Sequence, residues 1–130
     1  MSAGQESMEY NYDYEHDSGI CTVNVTGDHK RPEDTVLLQQ FARDFGKEHD
    51  CDCFLFDMTG ATITGNFLDT FKAGTVPDDK DYMQIKQKVA LLYLTITEDC
   101  KFLEDVAVNR GYQLRVFDQL EIAINWLKVS

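Results

Sequence analysis

The sequence predicts an α/β domain: a mostly parallel sheet, opened by an antiparallel hairpin and packed against helices. Three observations predict it. Segments of period-2 or near-continuous apolar character alternate with segments of helical periodicity. The later strand-like segments are almost wholly apolar, as strands covered on both faces are. The first two strand-like segments are joined by a short Gly-containing turn with no helix between them. The resulting order is β-β-α-β-α-β-α-β-α, and parallel neighbours need a helical crossover to return the chain.

Taken in order, Tyr10, Tyr12 and Tyr14 alternate with Asn11 and Asp13, the signature of a half-buried strand. Asp17-Ser18-Gly19 is a turn signal, with glycine free to take a positive φ. Ile20 to Thr26 is β-branched and puts Cys21, Val23 and Val25 on one face, completing a hairpin. Pro32, Glu33 and Asp34 suit a helix start, where a missing N–H costs little and acids meet the positive end of the dipole. Leu38, Phe41, Ala42 and Phe45 follow at helical spacing, and Gly46 is a stop signal. Cys53 to Met58 predicts a buried strand, and Thr59 to Gly65 a Gly- and Thr-rich turn. Phe67, Leu68 and Phe71 predict a short helix ending near Gly74, with a loop over Thr75–Asp81. Val89 to Ile96 predicts a further buried strand. Leu103, Val106, Ala107 and Arg110 mark a helix ended by Gly111, and Tyr112 to Phe117 a strand. Asp118 with Glu121 forms a capping box for a last helix whose inner face is Leu120, Ala123, Ile124 and Leu127, with Trp126 at its edge.

At 130 residues the chain fits one domain, able to bury roughly two thirds of its unfolded surface. Residues 1–7 are expected as a flexible tail and residues 8–130 as the domain, with no linker inside it. The net charge is −11, from 23 acidic against 12 basic residues. That sign opposes nucleic-acid binding and stable association with an anionic membrane, both of which draw on Lys and Arg. Glu6, Glu9, Asp13, Glu15 and Asp17 lie within the first 19 residues, which hold no Lys or Arg, as a solvated face or as a docking surface for a basic partner. Met1 to Ser7 has no apolar segment of a signal peptide, and no apolar run approaches a membrane span. A cytoplasmic location is expected, with Cys21, Cys51, Cys53 and Cys100 as free thiols.

Few residue sets suggest chemistry. Asp57 closes a central strand, where open α/β sheets hold ligands and where a receiver phosphoacceptor sits. That chemistry also needs an acidic pair and a lysine. Only Asp28 follows the second strand, and Phe117-Asp118 brings no lysine, so Asp57 is expected to cap a turn. His49-Asp50-Cys51-Asp52-Cys53 resembles a metal tract but lacks a second closely spaced ligand pair, with Cys21 and Cys100 isolated. His16, His29 and His49 stand in turn-like polar surroundings, and no nucleophile–base set or phosphate-cradling loop is apparent. No catalytic residue, metal or cofactor is expected.

Several segments carry a family resemblance. Val23 to Gly27 (V-N-V-T-G) and Phe54 to Gly60 (F-L-F-D-M-T-G) resemble the strand exits of STAS domains, the anti-sigma-factor-antagonist-like family. Phe102 to Leu127 is similar to a bacterial STAS-like or SpoIIAA-like subgroup whose end reads N-R-G, a strand closing on V-F, and a helix closing on A-x-x-W-L. The element order is also that of the family, and the resemblance covers nearly the whole chain beyond about residue 8. It implies a SpoIIAA-like fold and a non-enzymatic regulatory module that binds a protein partner, commonly a kinase-type anti-sigma factor. Phosphorylation of a Ser or Thr at the start of the second helix would switch that binding off.

The family's switch residue follows an Asp and precedes a Gly. Here Thr64 before Gly65 is the nearest match, with Thr62 second, and the preceding Asp is absent. Without a switch, the same hydroxyls or Asn66 serve as turn and cap groups. The expected partner surface is Thr59–Lys72 with the Thr75–Asp81 loop, centred on Asp57, Thr59, Thr62, Thr64, Asn66 and Phe67. The alternative is a carrier or sensor of a small apolar, lipid-like ligand in a groove of Phe67, Phe71 and Phe102. A monomer or weak homodimer is expected.

Overall fold

A computed structural model describes residues 7–31, 33–65, 87–109 and 111–129. The helix expected over Phe67–Gly74 and the loop over Thr75–Asp81 lie outside these residues. Strands β1 (Glu9–Glu15) and β2 (Ile20–Lys30) form the hairpin, registered from Glu9 opposite Thr26 to Glu15 opposite Ile20. Gly19 turns it at φ +74°, donating its N–H to the Glu15 carbonyl at 2.8 Å. Strand β2 then pairs in parallel with β3 (Cys53–Thr64), β3 with β4 (Lys88–Leu92), and β4 with β5 (Gln113–Phe117). Among the described residues the sheet has five strands, and their spatial order equals their sequence order.

Helices α1 (Glu33–His49), α2 (Glu98–Asn109) and α3 (Leu120–Lys128) cover it. Period-2 alternation splits the core by face. Cys21, Val23, Val25, Phe54, Phe56 and Met58 pack with Leu38, Ala42 and Phe45 of α1 and Ala107 of α2. Ile20, Leu55, Ala90 and Leu92 pack with Ala123 and Leu127 of α3. The tyrosine face of β1 closes over α1, with Tyr12 and Tyr14 ring centroids 5.0 and 5.4 Å from that of Phe45.

The element ends depart from sequence expectation for identifiable reasons. Helix α1 does not stop at Gly46, which is buried inside it because a Cβ there would come within 2.8 Å of the Cys51 carbonyl oxygen. The helix closes three residues later, where Asp50 takes φ 54° and the Cys51 N–H returns to the Gly46 carbonyl at 3.1 Å. Strand β4 ends at Leu92 rather than Ile96, with Leu94 turned to solvent. Helix α2 starts ahead of its apolar stripe because the Thr97 hydroxyl accepts the Cys100 N–H. The Asp118 capping box does not form: the cap residue is Gln119, with no side-chain bond, and Leu120 is exposed. The expected turn at Thr59–Gly65 is strand as far as Thr64.

Candidate functional site

A β-bulge builds the site. Between Asn24 opposite Asp57 and Thr26 opposite Gly60, β3 spends one residue more than β2. The Asp57 carboxylate holds the bulge, accepting the Thr59 N–H at 3.0 Å and the Thr59 hydroxyl at 2.6 Å. One extra residue inverts every side chain beyond it. Ala61 and Ile63, not Gly60 and Thr62, therefore continue the apolar face of Phe54, Phe56 and Met58, and Thr62 and Thr64 are exposed on the other side.

Strand β4 accompanies β3 only as far as Asp57, whereas β2 accompanies it to Thr64. The two form a ribbon at the carboxyl end of the sheet, where open α/β sheets hold their ligands and partners. On its outward face Asp28 stands beside Thr62 and Lys30 beside Thr64. The Thr64 hydroxyl donates to the His29 carbonyl at 3.4 Å, and the Arg31 N–H donates to the Thr64 carbonyl at 3.1 Å. The Lys30 N–H donates to Asp34 of α1 at 2.8 Å.

On the inward side of the ribbon, beside Ala61 and Ile63, two polar side chains are buried. His29 is 3% exposed, its Nε2 2.8 Å from the Thr35 hydroxyl and its Nδ1 3.2 Å from the Met8 sulfur. Burial, reinforced by the Arg31 charge, lowers its pKa to about 4. Arg31 is also buried and hydrogen-bonds the hydroxyl of Tyr93, which burial pushes up to about 12. These groups pin α1 and the start of the β4–α2 connection to the ribbon. An open cleft of about 390 Å³ follows, walled by Ile63, Gly65, Thr95, Thr97, Glu98 and Asp99.

The expected site residues divide accordingly. Asp57, Thr59, Thr62 and Thr64 lie on one strand, the first two half-buried at the bulge and the last two exposed. Asn66, Phe67 and Phe71 lie outside the described residues, and Phe102 is half-buried on α2. His29 does not stand in the polar, turn-like setting expected of it. It follows Val23, Val25 and Gly27 at a spacing of two on the inner face of β2, a parity visible in the sequence once that strand is extended past Thr26. Arg31 carried no sequence signal, whereas Tyr93 stood inside the strand expected over Val89–Ile96 and lies just beyond the observed end of β4.

Nothing here is activated for catalysis among the thiols with shifted pKa values. Burial raises Cys21 to about 12 and also raises Cys51 and Cys53, which holds them as neutral thiols. Cys51 and Cys53 belong to opposite faces of the sheet, so their sulfurs diverge. Among the described residues no group of His, Cys, Asp and Glu is placed to hold a metal, and no helix is long and apolar enough to cross a membrane.

Comparison with known proteins places this architecture. An anti-sigma factor antagonist from Mycobacterium paratuberculosis is 12% identical, with a TM-score of 0.54 over 99% of this chain and 100% of its own. An uncharacterised protein with a SpoIIAA-like fold from Shewanella loihica PV-4 is 16% identical, with a TM-score of 0.55 over 98% of both chains. No family model matches the sequence, and a search of curated proteins finds no match. The chain has the SpoIIAA-like, or STAS-like, fold that its sequence resemblance implied.

Proposed function

We propose that this chain is a non-enzymatic regulatory module of the STAS type that binds a protein partner through the outward face of the β2–β3 ribbon. The observation that carries the reading is the bulge, which turns Thr62 and Thr64 to solvent on a ribbon fixed from behind by buried side chains. The fold shared with an anti-sigma factor antagonist supports it. Asp57 and Thr59 form the base of the surface; Asn66 and Phe67, also expected in it, lie outside the described residues. The partner is a kinase-type anti-sigma factor, and Thr64 is the switch.

Charge separates the two hydroxyls. A phosphate adds about −1.5 to −2 charges. At Thr64 it meets Lys30 on the neighbouring strand, and at Thr62 it meets Asp28. Thr64 thus accepts phosphate with a cation at hand, and Thr62 against a like charge.

Affinity capture from the native cytoplasm, with phosphosite mapping of the retained bait, tests the reading. We expect a kinase-type protein to be retained by the wild type and by Thr64→Ser, and lost on Thr64→Glu. Retention unchanged by Thr64→Glu and Thr62→Glu, with neither residue phosphorylated, removes it. A second reading, a carrier or sensor of a small apolar ligand, rests on a cavity under α1 rather than on the groove of Phe67, Phe71 and Phe102. Phe102 is not among the described residues lining that cavity.

A further inference from the structure

Among the described residues β1 is one edge of the sheet. An edge strand presents a row of backbone N–H and C=O groups, which native proteins blunt with lysine, proline or a bulge. Strand β1 has none of these: it runs E-Y-N-Y-D-Y-E in unbroken register with β2. Every second residue therefore turns its backbone N–H and C=O away from β2. Beside this edge the tyrosines leave an open cleft. Tyr10 and Tyr12 lean on Phe41, ring centroids 5.5 and 5.3 Å away, yet remain 42% and 51% exposed, and Leu37 is 53% exposed. The cleft between β1 and α1 measures about 340 Å³, and Asp44 and Glu48 are also in its wall.

Charge identifies the occupant. The face of β1 turned from α1 carries Glu9, Asp13 and Glu15, whose partners on β2 are Thr26, Thr22 and Ile20, none of them a cation. Glu15 accepts the Ser18 hydroxyl, and Lys128 of α3 shares a cleft with Asp13 and Glu15. On the α1 side Asp44 lies 3.4 Å from Arg43 Nε, and Glu48 lies 3.6 Å from His49 Nε2. Surface pairs of this kind contribute little. A second copy of the chain does not fit this edge. Centring β1 on its own copy at Asn11, Tyr12 or Asp13 sets Glu9 against Asp13, Glu9 against Glu15, or Asp13 against Asp13. Like charges directly opposite on paired strands repel.

Strand alternation specifies what does fit. A strand added beside β1 turns every second side chain toward Tyr10, Tyr12 and Leu37, and the others toward Glu9, Asp13 and Glu15. We propose that the open edge of β1 is a docking site for an extended basic segment of a partner protein. The segment hydrogen-bonds to the β1 backbone, sets aliphatic or aromatic side chains in the β1–α1 cleft, and pairs alternate Lys or Arg residues with the acids. The same acids keep copies of the chain apart and admit a basic strand. Strand β1 pairs with β2 only as far as Thr26, before the outward residues Asp28 and Lys30 of the ribbon, so this site does not depend on the ribbon reading.

The probe is the end-blocked peptide Lys-Val-Lys-Val-Lys-Val-Lys, titrated into the full chain and followed by amide resonances. Shifts should concentrate on Glu9–Glu15 and on α1 around Leu37 and Phe41. The rearranged peptide Lys-Lys-Val-Val-Val-Lys-Lys keeps charge and composition but loses the alternation, and should bind roughly tenfold more weakly. Asp13→Lys and Leu37→Lys, both at exposed positions and checked for folding by circular dichroism, should each weaken the alternating peptide by about tenfold. Equal binding of the rearranged peptide, binding unchanged by either variant, or shifts confined to other elements would overturn the site. Absence of binding to the wild type overturns it as well, and a dimer that Leu37→Lys dissolves gives the cleft to a second copy instead.

Discussion

His29 and Gly46 each occupy a position that admits little else. A protonated His29 would put a charge between Thr35 and Met8 with Arg31 nearby, and Asp34 at the start of α1 only partly compensates. Its pKa falls from 6.5 to about 4 on folding, so between those values the unfolded chain binds the extra proton. Stability is therefore full above pH 6.5 and falls as pH drops toward 4, by up to about 3 kcal/mol. Urea unfolding across that range should show a slope that His29→Asn flattens. Gly46 is read in the sequence as a stop, and it is instead a close approach: a Cβ would meet the Cys51 carbonyl and the Gln87 side chain. Gly46→Ala, which would gain about 1 kcal/mol in an exposed helix, should instead destabilise by about 1–3 kcal/mol in the same assay.

Between elements, hydrogen bonds outside the ladders decide where the sheet stops. Strand β5 lies at the edge of the order, and its Val116 N–H donates to the Glu104 carboxylate of α2 at 2.9 Å. That carboxylate is buried and also takes Lys101 Nζ at 2.6 Å. Glu104 thus ties a helix to an edge strand and removes one donor from a surface that could template aggregation. Glu104→Ala should cost about 2 kcal/mol by chemical denaturation, and Glu104→Gln, which keeps an acceptor for Val116, should cost less. At the other end of the sheet the Asp57–Thr59 bonds hold the bulge on which the whole outward presentation of Thr62 and Thr64 depends.

For the molecule as a whole, 23 acidic residues face 12 basic ones. Self-repulsion opposes the compact state until salt screens it. Raising ionic strength from about 10 mM to about 150 mM shortens the Debye length from about 30 Å to about 8 Å. The melting temperature should rise over that range, by calorimetry or circular dichroism; a flat or falling Tm would show that the acids are locally paired. The same excess of acid favours a basic face on any partner that docks at the ribbon.

The order of the described elements, the hairpin, the parallel sheet and both core faces were legible in the sequence, and the helix expected over Phe67–Gly74 lies outside the described residues. They rest on short-range signals: alternation at Cys21, Val23 and Val25, helical spacing at Leu38, Ala42 and Phe45, and turn chemistry at Asp17-Ser18-Gly19. The SpoIIAA-like fold was legible too, through motifs at structural positions. Only the tertiary structure decided the rest. A bulge is a two-strand event, so Thr59 to Thr64 reads as a turn until β2 lies beside it and supplies hydrogen bonds. The burial of His29 and Arg31 and the space beneath α1 arise where α1 meets the sheet, between residues that no local pattern connects.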